Sequence, residues 1–172
     1  MRITVLKWPA LVALPAIALM LGSCSDGDST ATGSSPGAGT GTPGATLSTS
    51  VVTFRSGAGQ PVALNVEVAD TAEKRARGLM LRTSLAEDDG MLFVFEGESK
   101  AGFYMKDTLI PLSIAFIDAN GTIVDIQDMQ PQTTDVHYSA KPYRYAVEAN
   151  QGWYGKKGIV VGDKVEVPID SQ

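Results

Sequence analysis

From Ser25 to Thr46 the chain contains only Ser, Thr, Gly, Ala, Pro and two aspartates, Asp26 and Asp28, with no aromatic side chain. Such a stretch cannot bury enough apolar surface to offset the entropy lost on ordering. Whatever folds must therefore be built from Leu47 to Gln172, residues 47–172, as a single domain. That length lets a domain bury about two-thirds of its unfolded surface without covalent staples. The preceding stretch reads as a flexible spacer, spanning about 26 Å on the statistics of Gly-rich chains.

The segment before the spacer has the anatomy of an export signal. Arg2 and Lys7 precede an uncharged apolar run from Trp8 to Gly22, interrupted by Pro9 and Pro15. A helix that spans the hydrocarbon core needs about 20 apolar residues, and this run is shorter and carries a proline in its middle. Leu21-Gly22-Ser23-Cys24 resembles the lipobox of bacterial lipoproteins, cleaved directly before the cysteine, whose thiol then accepts diacylglycerol. The expected layout is a cleaved lipoprotein signal over residues 1–23, then a lipidated Cys24 opening a linker to residue 46. An ordinary secretory signal with a chance cysteine is the alternative.

Cys24 is the only cysteine in the chain. No internal disulfide is possible, and acylation accounts for an odd thiol in an exported protein. Two or three acyl chains, at about 0.8 kcal/mol per buried methylene, hold a protein on a bilayer where one is marginal. The partner expected through Cys24 is membrane lipid, and the expected location is extracytoplasmic, on the cell-envelope membrane. Ser25, and not Asp, follows Cys24, so in an enteric-type envelope the resemblance to sorted lipoproteins implies the outer membrane.

The formal net charge of −5 and the lack of any basic run or basic-aromatic stripe argue against nucleic acid as a partner. No repeat appears at periods of 20 to 50 residues. There is no Gly-rich nucleotide loop, Gly-x-Ser-x-Gly elbow or His-Glu-x-x-His pair, and no cofactor or metal is called for. A Ser–His–acid arrangement, which geometry and not spacing would reveal, has no positive support.

Within the domain the periodicity is that of a β protein. Val62, Leu64, Val66 and Val68 alternate with Ala63, Asn65 and Glu67, which predicts a half-buried strand. Asp70 to Gly78 reads as one short helix: Asp70 or Thr71 caps it, Glu73 stands at capping-box distance from Asp70, and Gly78 suits a left-handed stop. A polar turn over Ser84 to Gly90 leads to a strand from Met91 to Phe95. Gly102 to Met105 and Leu112 to Asp118 read as further strands, and Asp118-Ala119-Asn120-Gly121 turns the latter into Thr122 to Gln127. Arg144 to Ala149 and Lys164 to Val167 complete the set, with a short helical turn inside Gly152 to Gly158. The fold expected is mainly β: a compact antiparallel β-sandwich or partly open barrel with one or two short helices.

Five blocks in order closely resemble one family: Arg77-Gly78-Leu79-Met80 with Arg82; Gly90-Met91-Leu92-Phe93; Phe103-Tyr104-Met105-Lys106-Asp107-Thr108; Pro111-Leu112 with Phe116-Ile117-Asp118; and Val147-Glu148 with Gly152. The chain is similar over roughly Val52 to Val167 to the domain of unknown function 192 (DUF192) family. The resemblance implies a mainly β domain, often behind a signal or lipoprotein sequence, and it implies no particular activity. It also marks a departure, because the family usually has Asp directly after the Pro-Leu pair and this chain has Ser113.

The polar residues of those blocks support a cleft for a small polar or anionic ligand, or an envelope protein partner, with Arg77, Arg82, Lys106, Asp107, Thr108 and Glu148 as candidate binding residues. Guanidinium forks at Arg77 and Arg82 suit carboxylate or phosphate. If Tyr145, Val147 and Ala149 share one face of their strand, Glu148 shares the other with Ala146 and Asn150. An Arg–Glu pair locking the helix to the sheet explains the same residues as architecture. Arg77, inside the helix, is expected to be the paired arginine, and Arg82, beyond the Gly78 stop, the free one.

Two further classes remain. A hydrolase would use His137 or Glu148 as general base or acid, although one imidazole in a loop is more simply a surface residue and lacks the ligands of a zinc site. Met80, Met91, Met105 and Met129 are soft donors suited to Cu(I). Core filling explains them more simply, since no Met-x-Met or His-rich tract accompanies them. Replacement of Cys24 by Ser is expected to abolish incorporation of a clickable palmitate in cells; label equal to the parent's would sink the lipoprotein reading.

Overall fold

The computed structural model describes residues 47–57 and 59–168; Cys24, the run before it and the spacer up to Thr46 lie outside the described residues. Seven strands and two short helices follow one another as β1 (Ser48–Arg55), β2 (Val62–Ala69), α1 (Ala72–Arg77), β3 (Asp89–Ser99), β4 (Leu112–Ile117), β5 (Ile123–Met129), β6 (Tyr143–Asn150), α2 (Trp153–Lys156) and β7 (Lys164–Glu166). The strands form one sheet in the order β5-β4-β6-β3-β2-β1-β7, curled into a half-barrel. The partly open barrel expected from the sequence is the architecture found.

One pairing departs from the antiparallel rule: β2 and β3 run parallel, Val66 opposite Gly90 and Val68 opposite Leu92. Parallel neighbours need a crossover, and α1 lies within it. Thr71 caps α1 by accepting the Lys74 amide at 3.2 Å, while the Asp70 carboxylate pairs with Lys74 Nζ at 2.8 Å. Gly78 ends the helix at φ 49°, a backbone setting that disfavours other residues.

The hairpin expected around Asp118 is present. Asp118 Oδ1 accepts the amides of Asn120 and Thr122 and so fixes the turn between β4 and β5. At its far end the curled sheet nearly closes on itself, because the Val165 amide donates to the Gly121 carbonyl at 2.7 Å and the Ile123 amide to that of Asp163 at 3.0 Å. Along the outer side of β5, Gln127 Nε2 reaches the Tyr138 carbonyl and the Ala140 amide reaches Asp125.

Two apolar layers lie on the two faces. One collects residues from all seven strands, among them Phe54, Leu64, Leu92, Ile117, Val147 and Val165, with Trp153 and Tyr154 of α2 packed edge-on against Phe54. The other covers the opposite face of β3, β4 and β6 with Leu79, Met91, Phe93, Met105, Phe116, Met129 and Tyr143. Strand β4 is consequently buried at every position, and it reads Leu-Ser-Ile-Ala-Phe-Ile without alternation.

Three expectations are corrected. β1 is a strand the sequence does not announce: only Val52 and Phe54 of it are buried, Val51 is exposed, and the rest are serines, threonines and one arginine, so its apolar alternation is confined to two positions. The strand expected over Gly102 to Met105 is an irregular segment with a single bridge, Phe103 to His137. β3 begins two residues earlier than expected and extends to Ser99.

At Gly90 β3 lies tight against β6. A Cβ there would lie 2.4 Å from the carbonyl oxygen of Glu148, a backbone atom that cannot swing away. Replacing Gly90 by Ala is expected to destabilise the domain by about 3 kcal/mol, the upper part of the usual overpacking range; a urea midpoint unchanged from the parent would show that the two strands do not meet so closely.

Candidate functional site

Glu148 sits on β6, directly across from Met91 on β3 and Ile114 on β4. Its parity places it away from Tyr145, Val147 and Ala149, on the face of the second apolar layer. Only 5% of it is exposed, and among the described residues nothing forms an ion pair or hydrogen bond with its carboxyl group. Burial with no compensating partner pushes its pKa from the ordinary 4.5 to about 8. At neutral pH the group is mostly the uncharged acid, a hydrogen-bond donor as well as an acceptor.

Glu148 lines a cleft of about 290 Å³. Phe93 and Phe95 of β3 form one wall. The end of α1 with Gly78, Leu79 and Met80 forms a second, and the segment Ala101 to Tyr104 with Thr108 forms a third. The walls are held by aromatic contacts in edge-on geometry, Phe93 to Phe103 at 5.1 Å and Phe95 to Tyr143 at 5.3 Å. Tyr143 also donates its hydroxyl to the Ala101 carbonyl at 2.6 Å, tying the third wall to β6.

Arg75 secures the second wall. Its Nη1 donates to the carbonyls of Asp70 and Val94, each at 2.8 Å, and its guanidinium lies 5.0 Å from the centre of the Phe95 ring. Arg75 is thus the arginine that locks α1 to the sheet, a role expected of Arg77. The signal for it was weak, since three arginines crowd into eight residues and only the helix phase separates them.

The proposed binding residues divide. Arg77, Thr108 and Glu148 line the one cleft, with Thr108 5% exposed and Arg77 largely exposed. Arg82 lies elsewhere, with Nη2 contacting both carboxylate oxygens of Glu67 in a shallow depression shared with Asn65 and Asp89. The expected assignment of the two arginines is therefore reversed: Arg82 is paired, and Arg77 has no ion pair among the described residues. The cause is the chain path. α1 ends at Arg77 facing outward, whereas the loop after Gly78 folds back over β2, where Glu67 projects.

Lys106 and Asp107 are exposed and do not line the cleft. The Asp107 backbone contributes instead: its carbonyl accepts the Leu81 amide at 2.8 Å. Both residues adopt left-handed conformations, Leu81 at φ 62° and Asp107 at φ 57°, an arrangement that costs energy for non-glycine residues. This bond clasps the second wall to the third.

His137 is half-buried with Nδ1 3.1 Å from Gln127 Oε1; its backbone pairs with Phe103, and its ring does not line the cleft. Met91, Met105 and Met129 are fully buried members of the second apolar layer, and Met80 borders the cleft. Among the described residues no three His, Cys, Asp or Glu side chains converge as a metal site would require. Ser113 is buried away from the cleft, donates to Asp128 Oδ1 at 2.5 Å and accepts the Gly152 amide at 2.8 Å. It joins β4, β5 and the start of α2, with a carboxylate supplied from the neighbouring strand.

The family model for DUF192, described as uncharacterized ACR, matches residues 53–167. A crystal structure from Sinorhizobium meliloti 1021, described as a candidate transcription regulator, is 33% identical, with 70% of this chain and 94% of that one covered at a TM-score of 0.68. A second, a protein of unknown function from Novosphingobium aromaticivorans DSM 12444, is 32% identical over 73% of this chain and 90% of that one, at a TM-score of 0.69. No curated protein matches the chain.

The raised pKa of Glu148 has a thermodynamic sign. Between about 4.5 and about 8 the folded chain holds this proton more tightly than the unfolded chain. Stability from this group is therefore fully present at low pH and is lost as pH rises through that window, at up to about 1.4 kcal/mol per pH unit. Glu148→Gln is expected to gain stability relative to the parent from pH 5 to pH 8, read as a widening difference in urea midpoint. Parallel curves for the two proteins would mean that Glu148 is solvated or paired.

Proposed function

The chain belongs to the DUF192 family, and from that premise we propose that its domain is a lipid-anchored, extracytoplasmic receptor for a small ligand with an apolar body and a polar or anionic head. The observation that carries this reading is an almost fully buried acid, without a partner among the described residues, facing a cavity. Its carboxyl group borders the cleft and has no hydrogen-bond partner in the protein among the described residues, so it is free to bond a ligand that enters there. A cleft of about 290 Å³ stands near the lower end of small-molecule sites, mostly apolar with a few polar groups, as such sites are.

The anchor part of the proposal rests on the sequence alone: the basic start, the apolar run and the lipobox-like ending at Cys24. The spacer then gives the domain about 26 Å of reach from a membrane surface. Binding is favoured over hydrolysis because general acid–base work needs a second group within hydrogen-bond reach of the reacting atoms. His137, the only histidine, does not line the cleft that Glu148 faces. The net charge of −5 makes a nucleic-acid ligand a poor match, whatever the role of the Sinorhizobium relative.

The test is a nuclear magnetic resonance screen of the methyl groups of Leu79 and Met80, with Val160 and Val161 as distant reporters, against mixtures of small carboxylates, amines and amides. Shifts confined to Leu79 and Met80 are expected from at least one class. Spectra unmoved by all three would remove the receptor reading.

A further inference from the structure

Resting on the receptor reading, we infer that the cleft selects small apolar monocarboxylates, with the ligand carboxylate hydrogen-bonded to the Glu148 carboxyl group while Arg77 supplies the balancing positive charge at the mouth. The groups that face the site decide the sign. Among the described residues two guanidinium ions line it, Arg75 and Arg77, and no carboxylate other than Glu148 does. Arg75 has its Nη1 committed to two backbone carbonyls, whereas Arg77 is exposed without an ion pair among the described residues. An ammonium ligand would have to enter past both positive charges; a carboxylate is drawn in by them.

The surroundings of Glu148 keep the proton on it until a ligand arrives. Its cross-strand neighbours Met91 and Ile114 carry no charge, the nearby wall is Phe93 and Phe103, and Thr108 is uncharged. Tyr104 lines the cleft and Tyr143 packs behind its walls, its hydroxyl donating to the Ala101 carbonyl and its pKa raised by burial; Tyr154 belongs to the opposite apolar layer, where its hydroxyl donates to the Val147 carbonyl. None of these supplies a cation to ionise Glu148. With its own pKa near 8, Glu148 is an acid while a bound carboxylate is a base over about pH 5 to 8. One proton then lies between two carboxyl groups, a charge-assisted bond of the stronger kind. Above that window both groups are anionic and repel each other.

The apolar walls set the rest of the ligand. Phe93, Phe95 and Phe103 offer ring edges and faces, and a volume of about 290 Å³ accommodates one ring with a short chain. Phenylacetate has that shape, and phenylacetamide and phenethylamine differ from it chiefly in the charge of the head group.

The experiment titrates these three probes calorimetrically into the full-length chain held in phosphatidylcholine nanodiscs, at pH 6.5, 7.5 and 9. Phenylacetate is expected to bind most tightly of the three at pH 6.5, with affinity falling about tenfold per pH unit above about 8. Glu148→Gln, whose amide still donates, should retain binding and lose the fall at high pH. Glu148→Leu should bind phenylacetate at least tenfold more weakly at pH 6.5, and Arg77→Gln should weaken it several-fold at every pH. Tighter binding of phenethylamine or phenylacetamide, or a parent affinity for phenylacetate that does not change with pH, would overturn the carboxylate assignment and leave the receptor reading standing. If none of the three binds, the carboxylate assignment falls, and the resonance screen, unmoved, removes the receptor reading as well.

Discussion

Strand β4, the first half of β3 and the middle of β6 bury both of their faces, and a polar side chain there needs a partner inside the protein or a place at a cavity. Ser113 meets that demand with Asp128 and the Gly152 amide, so a hydroxyl in the middle of an apolar strand becomes a joint between three elements. Glu148, on the next strand, has no such partner among the described residues, and its environment responds by holding a proton on it. The close approach of β3 at Gly90 fixes that environment, since a bulkier residue there would push the strand off the Glu148 backbone. The acid and its cavity are thus products of the same packing that makes the core.

The cleft is made by two irregular segments laid over one face of the sheet. The parallel pairing of β2 and β3 forces a crossover, and the crossover brings α1 and the residues after it across β3. Arg75 pins the helix by capping backbone carbonyls that would otherwise go unmet, and its stacking on Phe95 joins helix to sheet at the cavity wall. The third wall hangs from Tyr143 on one side and from the Leu81–Asp107 backbone bond on the other.

Much of this was legible in the sequence where one physical rule dominates. Alternation exposed β2, the Asp118 turn exposed the β4–β5 hairpin, and strand parity alone assigned Glu148 to the face opposite Val147. The rest depended on contacts remote in sequence. β1 has too few apolar residues to alternate visibly and takes its stability from pairing with β2 and β7. Segment Gly102 to Met105 has the composition of a strand but lies against loop residues around His137, with only one bridge to them. Among Arg75, Arg77 and Arg82, choice of partner follows from where the chain turns after Gly78, which no local pattern encodes. Of the six proposed binding residues, the cleft gathers Arg77, Thr108 and Glu148; Arg82 answers to Glu67, and Lys106 and Asp107 face solvent.

The near-closure of the sheet bears on life in a crowded plane. A row of unpaired backbone amides and carbonyls at a sheet margin is a template for another chain. Domains tethered to one surface, as proposed for this protein, meet each other far more often than molecules free in three dimensions. Here the β7 margin is three residues long and meets the start of β5 through backbone bonds at Ile123, while the Asp125 and Gln127 side chains hold the segment of Tyr138 and Ala140 alongside the rest of β5. The short β7 edge and the segment held beside β5 both obstruct a neighbour that would add a strand, and this lowers the risk that lateral crowding of such domains leads to fibrous assembly.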